Sequence, residues 1–477
     1  ARAAQINQLQ NSFRSQVSEA DFQIRFQYQT IPCFSGRLTS AGLEKISRMP
    51  EVAAIEPDRK VFALLAQSVP LVGADWAQDS GYTGDSVVVA VLDTGIDSLH
   101  TDFTGAIVAQ RHYLLGGTID ADSGDGAVDG HGHGTMVSGI VASRGNVSSV
   151  GVAPDARIVA VKVLDDAGSG FFSDVARGLD WCAATVDSLG VDVVNMSLGG
   201  GLFSSECDGS FPSLKAAVDA CRAENIIVYA ASGNDGKFTQ LSAPACITGC
   251  FSVGAVYDTV LGREPDFGTY QSVFGNLPNC FDSVSSPQVV TCFSNRSYFM
   301  DLLGPGRRIT TSYPGNFTSE GTGTSFASPH AAGVTALLRQ KDSTLTPDSA
   351  LSLLQATGNI VYDPPSGRTF RRINVRSALQ EIPNCGMPGD ANADSIVTLS
   401  DVIGTVNFVF NKPGWPTNKC YTNSIRCWLS DLLCRGDWNG SGSVALSDVI
   451  QGVNHLFNKP GGPWDPVTTD LCCQPAP

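Results

Sequence analysis

The stretch Val87-Val-Val-Ala-Val-Leu-Asp93-Thr-Gly95 decides the fold. Its apolar residues run without alternation, which marks a strand buried on both faces. Asp93 stands where that strand ends. In open α/β sheets the carboxyl ends of the strands are where sites form, although a lone Asp there also commonly closes an Asx turn. Further apolar runs follow at Arg157–Val163, Val191–Met196, Ile226–Ala230 and Phe251–Val256. Helical stretches lie between them. This alternation predicts an α/β domain over residues 66–382, with a parallel twisted sheet and helices on both faces.

Composition narrows the function. The 477 residues suit two to four domains. Apolar residues make up 42% and charged residues 16%, a globular composition of low charge. A net charge of −15 disfavours nucleic acid and anionic membranes as partners. No apolar run approaches the roughly 18 residues of a spanning helix. Fourteen cysteines without a Cys-x-x-Cys spacing argue against zinc knuckles and thioredoxin chemistry. Together with 50 glycines they suit an oxidising compartment, so a secreted protein is expected. The chain starts at Ala1 without a basic and apolar leader. A signal peptide removed, or an open reading frame begun further upstream, accounts for that start.

Two more segments carry chemistry. In Asp129-Gly-His131-Gly-His133-Gly-Thr135, small residues precede an apolar helix holding Val137, Ile140 and Val141. A His at that helix start has one ring nitrogen free toward a cleft; the alternatives are a pair of solvent-exposed loop histidines or half of a metal site, for which two histidines and Asp129 lack a clear third and fourth ligand. In Gly321-Thr-Gly-Thr-Ser325-Phe-Ala-Ser-Pro-His330, a Gly/Thr turn delivers Ser325 to the start of another apolar helix, with Pro329 in its first turn. Free N–H groups at that end favour a developing oxyanion. The alternative is an ordinary Ser N-cap. Acyl transfer by serine needs a nucleophile, an imidazole and a carboxylate that fixes the imidazole tautomer. The chain order is Asp, His, Ser, and Gly-x-Ser-x-Gly is absent, which separates the chain from α/β-hydrolases.

On Asp93-Thr-Gly, His133-Gly-Thr and Gly-Thr-Ser325-x-Ala-x-Pro, residues 66–380 resemble the subtilisin-like serine proteases. The resemblance implies a catalytic set of Asp93, His133 and Ser325, with Asn234 as oxyanion donor alongside the Ser325 N–H. It implies that Ser197, Leu198 and Gly199 form one edge of the substrate cleft, and Ala231, Ser232 and Gly233 a wall of the S1 pocket. Polypeptides, with a preference for apolar P1 residues, are the implied substrates, and no cofactor serves catalysis. Met136 stands where the family often has a second histidine outside the triad. Segments around Cys207 and from Gly262 to Asn295 look long, and disulfide-bridged loops are the expected reason.

Residues 1–65 read as a small α+β unit: a polar helix over Gln5–Glu19, a strand at Phe22–Tyr28, a helix over Thr39–Met49 with Leu43, Ile46 and Met49 on one face, and a strand at Val52–Ile55. They resemble the inhibitory propeptide of these proteases, which implies an intramolecular inhibitor cut near Leu65–Ala66. Residues 383–477 contain a duplication. Gly389–Gly414 aligns on Gly436–Gly461 with 16 of 26 positions identical, a level that excludes chance. Each copy carries oxygen donors at alternate positions. They are Asp390, Asn392, Asp394, Ile396 (through its carbonyl) and Asp401, then Asp437, Asn439, Ser441, Ser443 (through its carbonyl) and Asp448. Such loops suit Ca²⁺. The pair resembles dockerin-type repeats, which implies a small all-α domain, structural Ca²⁺ and a protein partner for the tail. A monomeric, self-processing zymogen is expected. The competing readings are a catalytically silent protease fold serving as a scaffold docked through its repeats, and an esterase or peptide ligase using the same triad.

Overall fold

The computed structural model describes residues 2–27, 33–52, 55, 67–114, 122–263, 271–272, 275–276, 280–382, 384–386, 446–457 and 472–474. The chain divides into two compact units, residues 1–62 and 63–477. The first holds α1 (Arg2–Gln16), β1 (Phe22–Gln27), β2 (Phe34–Leu38) and α2 (Ser40–Ile46). The strands β1 and β2 pair antiparallel. Thr39 caps α2 by accepting from the Gly42 N–H. Ile46 is buried, but Leu43, expected on the same inner face, is 47% exposed. Strand β2 has no apolar run to announce it, since Ser35 and Gly36 sit at its centre. The strand expected at Val52–Ile55 lies partly outside the described residues.

The second unit opens with α3 (Ser68–Leu71) and α4 (Ala74–Asp79), then β3 (Val88–Asp93), β4 (Ile107–Leu114), β5 (Asp122–Asp125) and α5 (His133–Ala142). Next come β6 (Arg157–Lys162), α6 (Phe172–Ala184), α7 (Val186–Leu189), β7 (Val191–Met196), β8 (Gly200–Phe203), α8 (Pro212–Ala223) and β9 (Ile227–Ala231). The chain continues through β10 (Leu241–Ala243), β11 (Phe251–Val256), β12 (Gln271–Ser272), β13 (Gly275–Asn276), β14 (Leu302–Pro305), β15 (Ile309–Tyr313) and β16 (Phe317–Gly321). It then forms α9 (Thr324–Lys341), α10 (Pro347–Thr357), β17 (Asn359–Asp363), β18 (Arg368–Arg372), α11 (Val375–Glu381) and β19 (Asn384–Gly386), with α12 (Leu446–Leu456) and β20 (Cys472–Gln474) in the tail.

Ten strands make one sheet in the order β17-β18-β14-β11-β9-β7-β3-β6-β4-β5. From β18 to β4 every neighbour is parallel, and β17 and β5 close the two edges antiparallel. The parallel strands predicted at the five apolar runs are all present, displaced by at most a residue at either end. Strand β4 escapes sequence reading because Gln110, Arg111 and His112 interrupt it near the sheet edge.

Residues of β3 are buried throughout, and alternation sends them to two cores. Val89 and Val91 pack with residues of α5, α9 and α11. Val88, Ala90 and Leu92 pack with residues of α6 and α8. Each fully buried aliphatic side chain contributes about 1.5–3 kcal/mol. The sheet is therefore covered on both sides, and its carboxyl edge is where side chains can reach solvent.

Disulfides join Cys207 to Cys246 and Cys280 to Cys292, one in each of the long segments. Cys182, Cys221 and Cys250 are buried thiols. Burial pushes the Cys221 thiol up to about 12, so it is no nucleophile at neutral pH. In the tail, α12 follows the second donor-rich loop, and β19 pairs antiparallel with β20. In α12, Val449 is buried while Ile450 is exposed, as is Phe457 just after the helix. The loop residues from Asp390 to Asp401 and from Asp437 to Ser443 lie outside the described residues. No helix among the described residues is long and apolar enough to cross a membrane.

Helix α10 starts in a reciprocal cap in which the Thr346 side chain accepts from the Ser349 N–H and the Ser349 hydroxyl accepts from the Thr346 N–H. Removing such a cap costs about 1 kcal/mol. Thr346→Ala should lower unfolding stability by about that amount in urea titration of the Ser325→Ala protein, where self-digestion is avoided. An unchanged midpoint would show that the cap adds nothing.

Candidate active site

Asp93 is the last residue of β3 and has no solvent exposure. Its Oδ1 accepts from the Thr94 N–H at 2.7 Å. The same oxygen lies 2.7 Å from Nδ1 of His133, the first residue of α5. A carboxylate can only accept, so Nδ1 carries the proton and Nε2 is the basic nitrogen. Gly132, before the helix, has φ 102°, a left-handed conformation suited to glycine. A Cβ there would lie 2.4 Å from the Tyr313 ring.

A second buried carboxylate shapes the histidine turn. Asp129 accepts from the N–H groups of His131, Gly132 and Thr135 and from the hydroxyls of Thr94 and Thr135. Those donors hold it in the charged form against its burial. Among the described residues no cluster of three His, Cys, Asp or Glu side chains is arranged to hold an ion. Burial disfavours charge on His133, but the Asp93 carboxylate, by charge and hydrogen bond, and then Asp129 outweigh it. The pKa of His133 is raised above its ordinary value. His131 sits 6.3 Å from His133, centroid to centroid, and burial lowers its pKa, with the His133 charge adding to that.

Ser325 is the second residue of α9. The sequence reading placed Pro329 in the first turn. It lies instead at the sixth position, where its missing N–H leaves the Ser325 carbonyl without its helical donor. The Ser197 hydroxyl donates to that carbonyl at 2.6 Å. Ser197 in turn accepts from Asn195 Nδ2 at 3.0 Å, and Asn195 Oδ1 accepts from the Ser328 hydroxyl at 2.7 Å. The end of β7 thus fastens the start of α9 at the gap that proline leaves.

Asn234 follows β9. Its Oδ1 accepts from the Thr324 N–H at 2.8 Å and the Thr324 hydroxyl at 3.0 Å. The backbone N–H can only donate, so the amide orientation is set and Nδ2 is the remaining donor. A cleft of about 1050 Å³ is lined by His133, Ser325, Asn234 and the predicted residues Ser197, Leu198, Gly199, Ala231 and Gly233. Ser232 is a correction. It does not face the cleft, because side chains of extended backbone alternate, and its hydroxyl donates to the Asn295 carbonyl at 2.9 Å. Asp93 lies behind His133, away from the cleft lining. The His133 ring packs edge-on against Phe326, the neighbour of Ser325, at 5.7 Å.

This chain matches the subtilase family over residues 84–381 and the peptidase inhibitor I9 family over residues 2–63. The chain belongs to the subtilase family. M-protease of Shouchella clausii (strain KSM-K16) is 33% identical over 333 residues, covering 69% of this chain and 74% of its own. Subtilisin DY of Bacillus licheniformis is 33% identical over 296 residues, 62% of this chain and 92% of its own. Subtilisin E of Bacillus subtilis (strain 168) is 32% identical over 377 residues, 76% and 85% respectively. The chain is accordingly a subtilisin-like serine peptidase with an N-terminal I9 propeptide inhibitor domain.

Residues that sequence reading missed in this subtilase are the fasteners: Thr94, Thr324, Asn195, Ser328 and Asn295. Thr94 and Thr324 adjoin motif residues, and that adjacency was the available signal. Asn295 is remote from every motif and left none.

The raised pKa of His133 has a definite sign. Imidazolium cannot accept a proton, so activity should be lost on acidification through a pKa above about 6.5. Asp93→Asn removes the main charge that raises it. NMR titration of the His133 ring in the Ser325→Ala background should then give a pKa displaced downward. An unmoved titration would contradict the electrostatic account.

Proposed function

We propose that this subtilase is a secreted serine endopeptidase, made as a self-processing zymogen. Ser325 Oγ attacks the peptide carbonyl while His133 Nε2 takes its proton. Asp93 keeps the Nδ1–H tautomer and stabilises the imidazolium that forms. Charge on the tetrahedral oxygen is met by Asn234 Nδ2 and by the Ser325 N–H, which has no intrahelical acceptor in the first turn. His133 then gives its proton to the leaving amine. Water attacks the acyl-enzyme by the same route in reverse, with His133 again as base. The observation that carries this reading is the buried Asp93–His133 bond at 2.7 Å beside a cleft that Ser325 and Asn234 share.

Substrate peptide adds along the extended edge at Ser197–Gly199, with the P1 side chain between that edge and Ala231–Gly233. The propeptide is cut near Leu65–Ala66 by the same site. Ser325→Ala should abolish casein hydrolysis and fluorophosphonate labelling, and the purified protein should keep Ala1. Asn234→Ala should lower kcat by about 10²–10³, equivalent to about 3 kcal/mol. Casein hydrolysis that survives in Ser325→Ala, or a wild-type enzyme whose intact mass still includes Ala1, would contradict this reading. Amide, ester and transpeptidation substrates assayed side by side separate peptidase from esterase or ligase.

The tail is assigned to Ca²⁺ binding and to docking of a protein partner. Carboxylates, amides, hydroxyls and backbone carbonyls form an all-oxygen donor set, which fits a hard cation. Asp390, Asn392, Asp394, Ile396 and Asp401 would hold one ion, and Asp437, Asn439, Ser441, Ser443 and Asp448 a second. The bound ion supplies folding energy to a segment with little core and takes no part in catalysis. Titrating the full-length Ser325→Ala chain with Ca²⁺ should release or absorb heat and increase helix in far-UV circular dichroism. The absence of both responses would remove the assignment.

A further inference from the structure

The loop carrying Asn234 is held from behind by a distant segment centred on Asn295. Asn295 is fully buried and lies outside the cleft lining. Its Oδ1 accepts from the N–H groups of Asp235 and Lys237, each at 3.0 Å. Its Nδ2 donates to Asp235 Oδ2 at 3.0 Å and, more weakly, to Ser242 Oγ at 3.5 Å. Its own N–H donates to the Gly233 carbonyl at 2.9 Å, and its carbonyl accepts from the Ser232 hydroxyl. The strands of contact continue on either side, from the Gly236 N–H to the Phe293 carbonyl and from the Arg296 N–H to the Lys237 carbonyl. Every polar group of Asn295 therefore has a partner within residues 232–242, and its carbonyl accepts also from the Ser294 hydroxyl at 3.2 Å. Gly233 permits the approach: its φ is 105°, and a Cβ there would lie 2.3 Å from Asn295 Nδ2.

The chemistry of the side chain matters as much as its place. Two converging N–H groups need one acceptor, and the Asp235 carboxylate needs a donor from the same side chain. An amide offers both on one planar group. Aspartate would set two carboxylates against each other. Serine is too short to reach all three partners.

We propose that Asn295 is the positioning residue for the oxyanion donor, holding the backbone on either side of Asn234 so that Nδ2 meets charge only as it develops on the substrate. This rests on reading Asn234 as that donor. The Thr324 N–H fixes one end of the Asn234 amide, and Asn295 fixes the backbone that carries it. Interactions realised in the transition state raise kcat, and a misplacement of about 1 Å can cost about 10²-fold. Loss of Asn295 thus lowers kcat and leaves KM nearly unchanged.

Steady-state kinetics on a peptide amide substrate with wild type, Asn295→Ala, Asn234→Ala and the double variant test this. Asn295→Ala should lower kcat about 10- to 10²-fold with little change in KM. The double variant should be no slower than Asn234→Ala, because the two residues act through one donor. Losses that multiply in the double variant, or an Asn295→Ala kcat equal to wild type, overturn the proposal alone. A silent Asn234→Ala overturns the donor reading and the proposal with it. Should Asn295→Ala fail to fold, Asn295→Asp serves in its place. It should lower kcat, and adding Asp235→Asn, which reverses donor and acceptor, should restore part of the loss. Absence of that recovery overturns the proposal.

Discussion

A carboxylate can only accept, so a buried one fixes the donors that reach it. Asp93, with no solvent exposure, takes the Thr94 N–H and the His133 ring through Oδ1, both at 2.7 Å. The interaction depends on β3 being covered on both faces, since a strand open to water would not withdraw the carboxylate from solvent. It also depends on α5 beginning at His133, with its ring turned back to the end of β3. Asp129 supports that turn with five accepted hydrogen bonds and adds a second negative charge near the imidazole. The site follows from a fully buried strand ending in an acid.

The remaining parts of the site are fastened where the backbone would otherwise lose partners. Pro329 frees the Ser325 carbonyl, and Ser197, immediately after β7, supplies the missing donor. Thr324 ties the start of α9 to the Asn234 amide by its N–H and hydroxyl, and accepts the Gly233 N–H. These cross-links join β7, the loop after β9 and α9. Each part is on a different strand or helix of the same sheet edge, so side chains scattered along the chain share one rigid frame. Preorganisation of this kind is what lets donors act on a transition state without reorganising at the moment of reaction.

Much of this was legible in the sequence. The five predicted parallel strands were uninterrupted apolar runs, because a sheet covered on both faces leaves no polar side to alternate with. Asp93, His133 and Ser325 stood in short motifs at element ends. Strand β4 was illegible, since Gln110, Arg111 and His112 break its pattern one strand in from the sheet edge. Pro329 was placed too early, because motif residues alone do not fix where a helix begins. Ser232 was assigned to the pocket wall with its neighbours, although alternation along an extended chain turns it inward. Asn295 could not be found by spacing: its partners are about 60 residues away, and an asparagine in a loop has no distinctive pattern.

The most direct test is a crystal structure of the enzyme bound to a peptide boronate, which captures the tetrahedral geometry. The account predicts a covalent bond from boron to Ser325 Oγ, His133 within hydrogen-bond reach of the adduct, and one boronate oxygen about 3 Å from both Asn234 Nδ2 and the Ser325 N–H. A boronate attached to another residue, or one whose oxygen points to solvent away from Asn234, would contradict it.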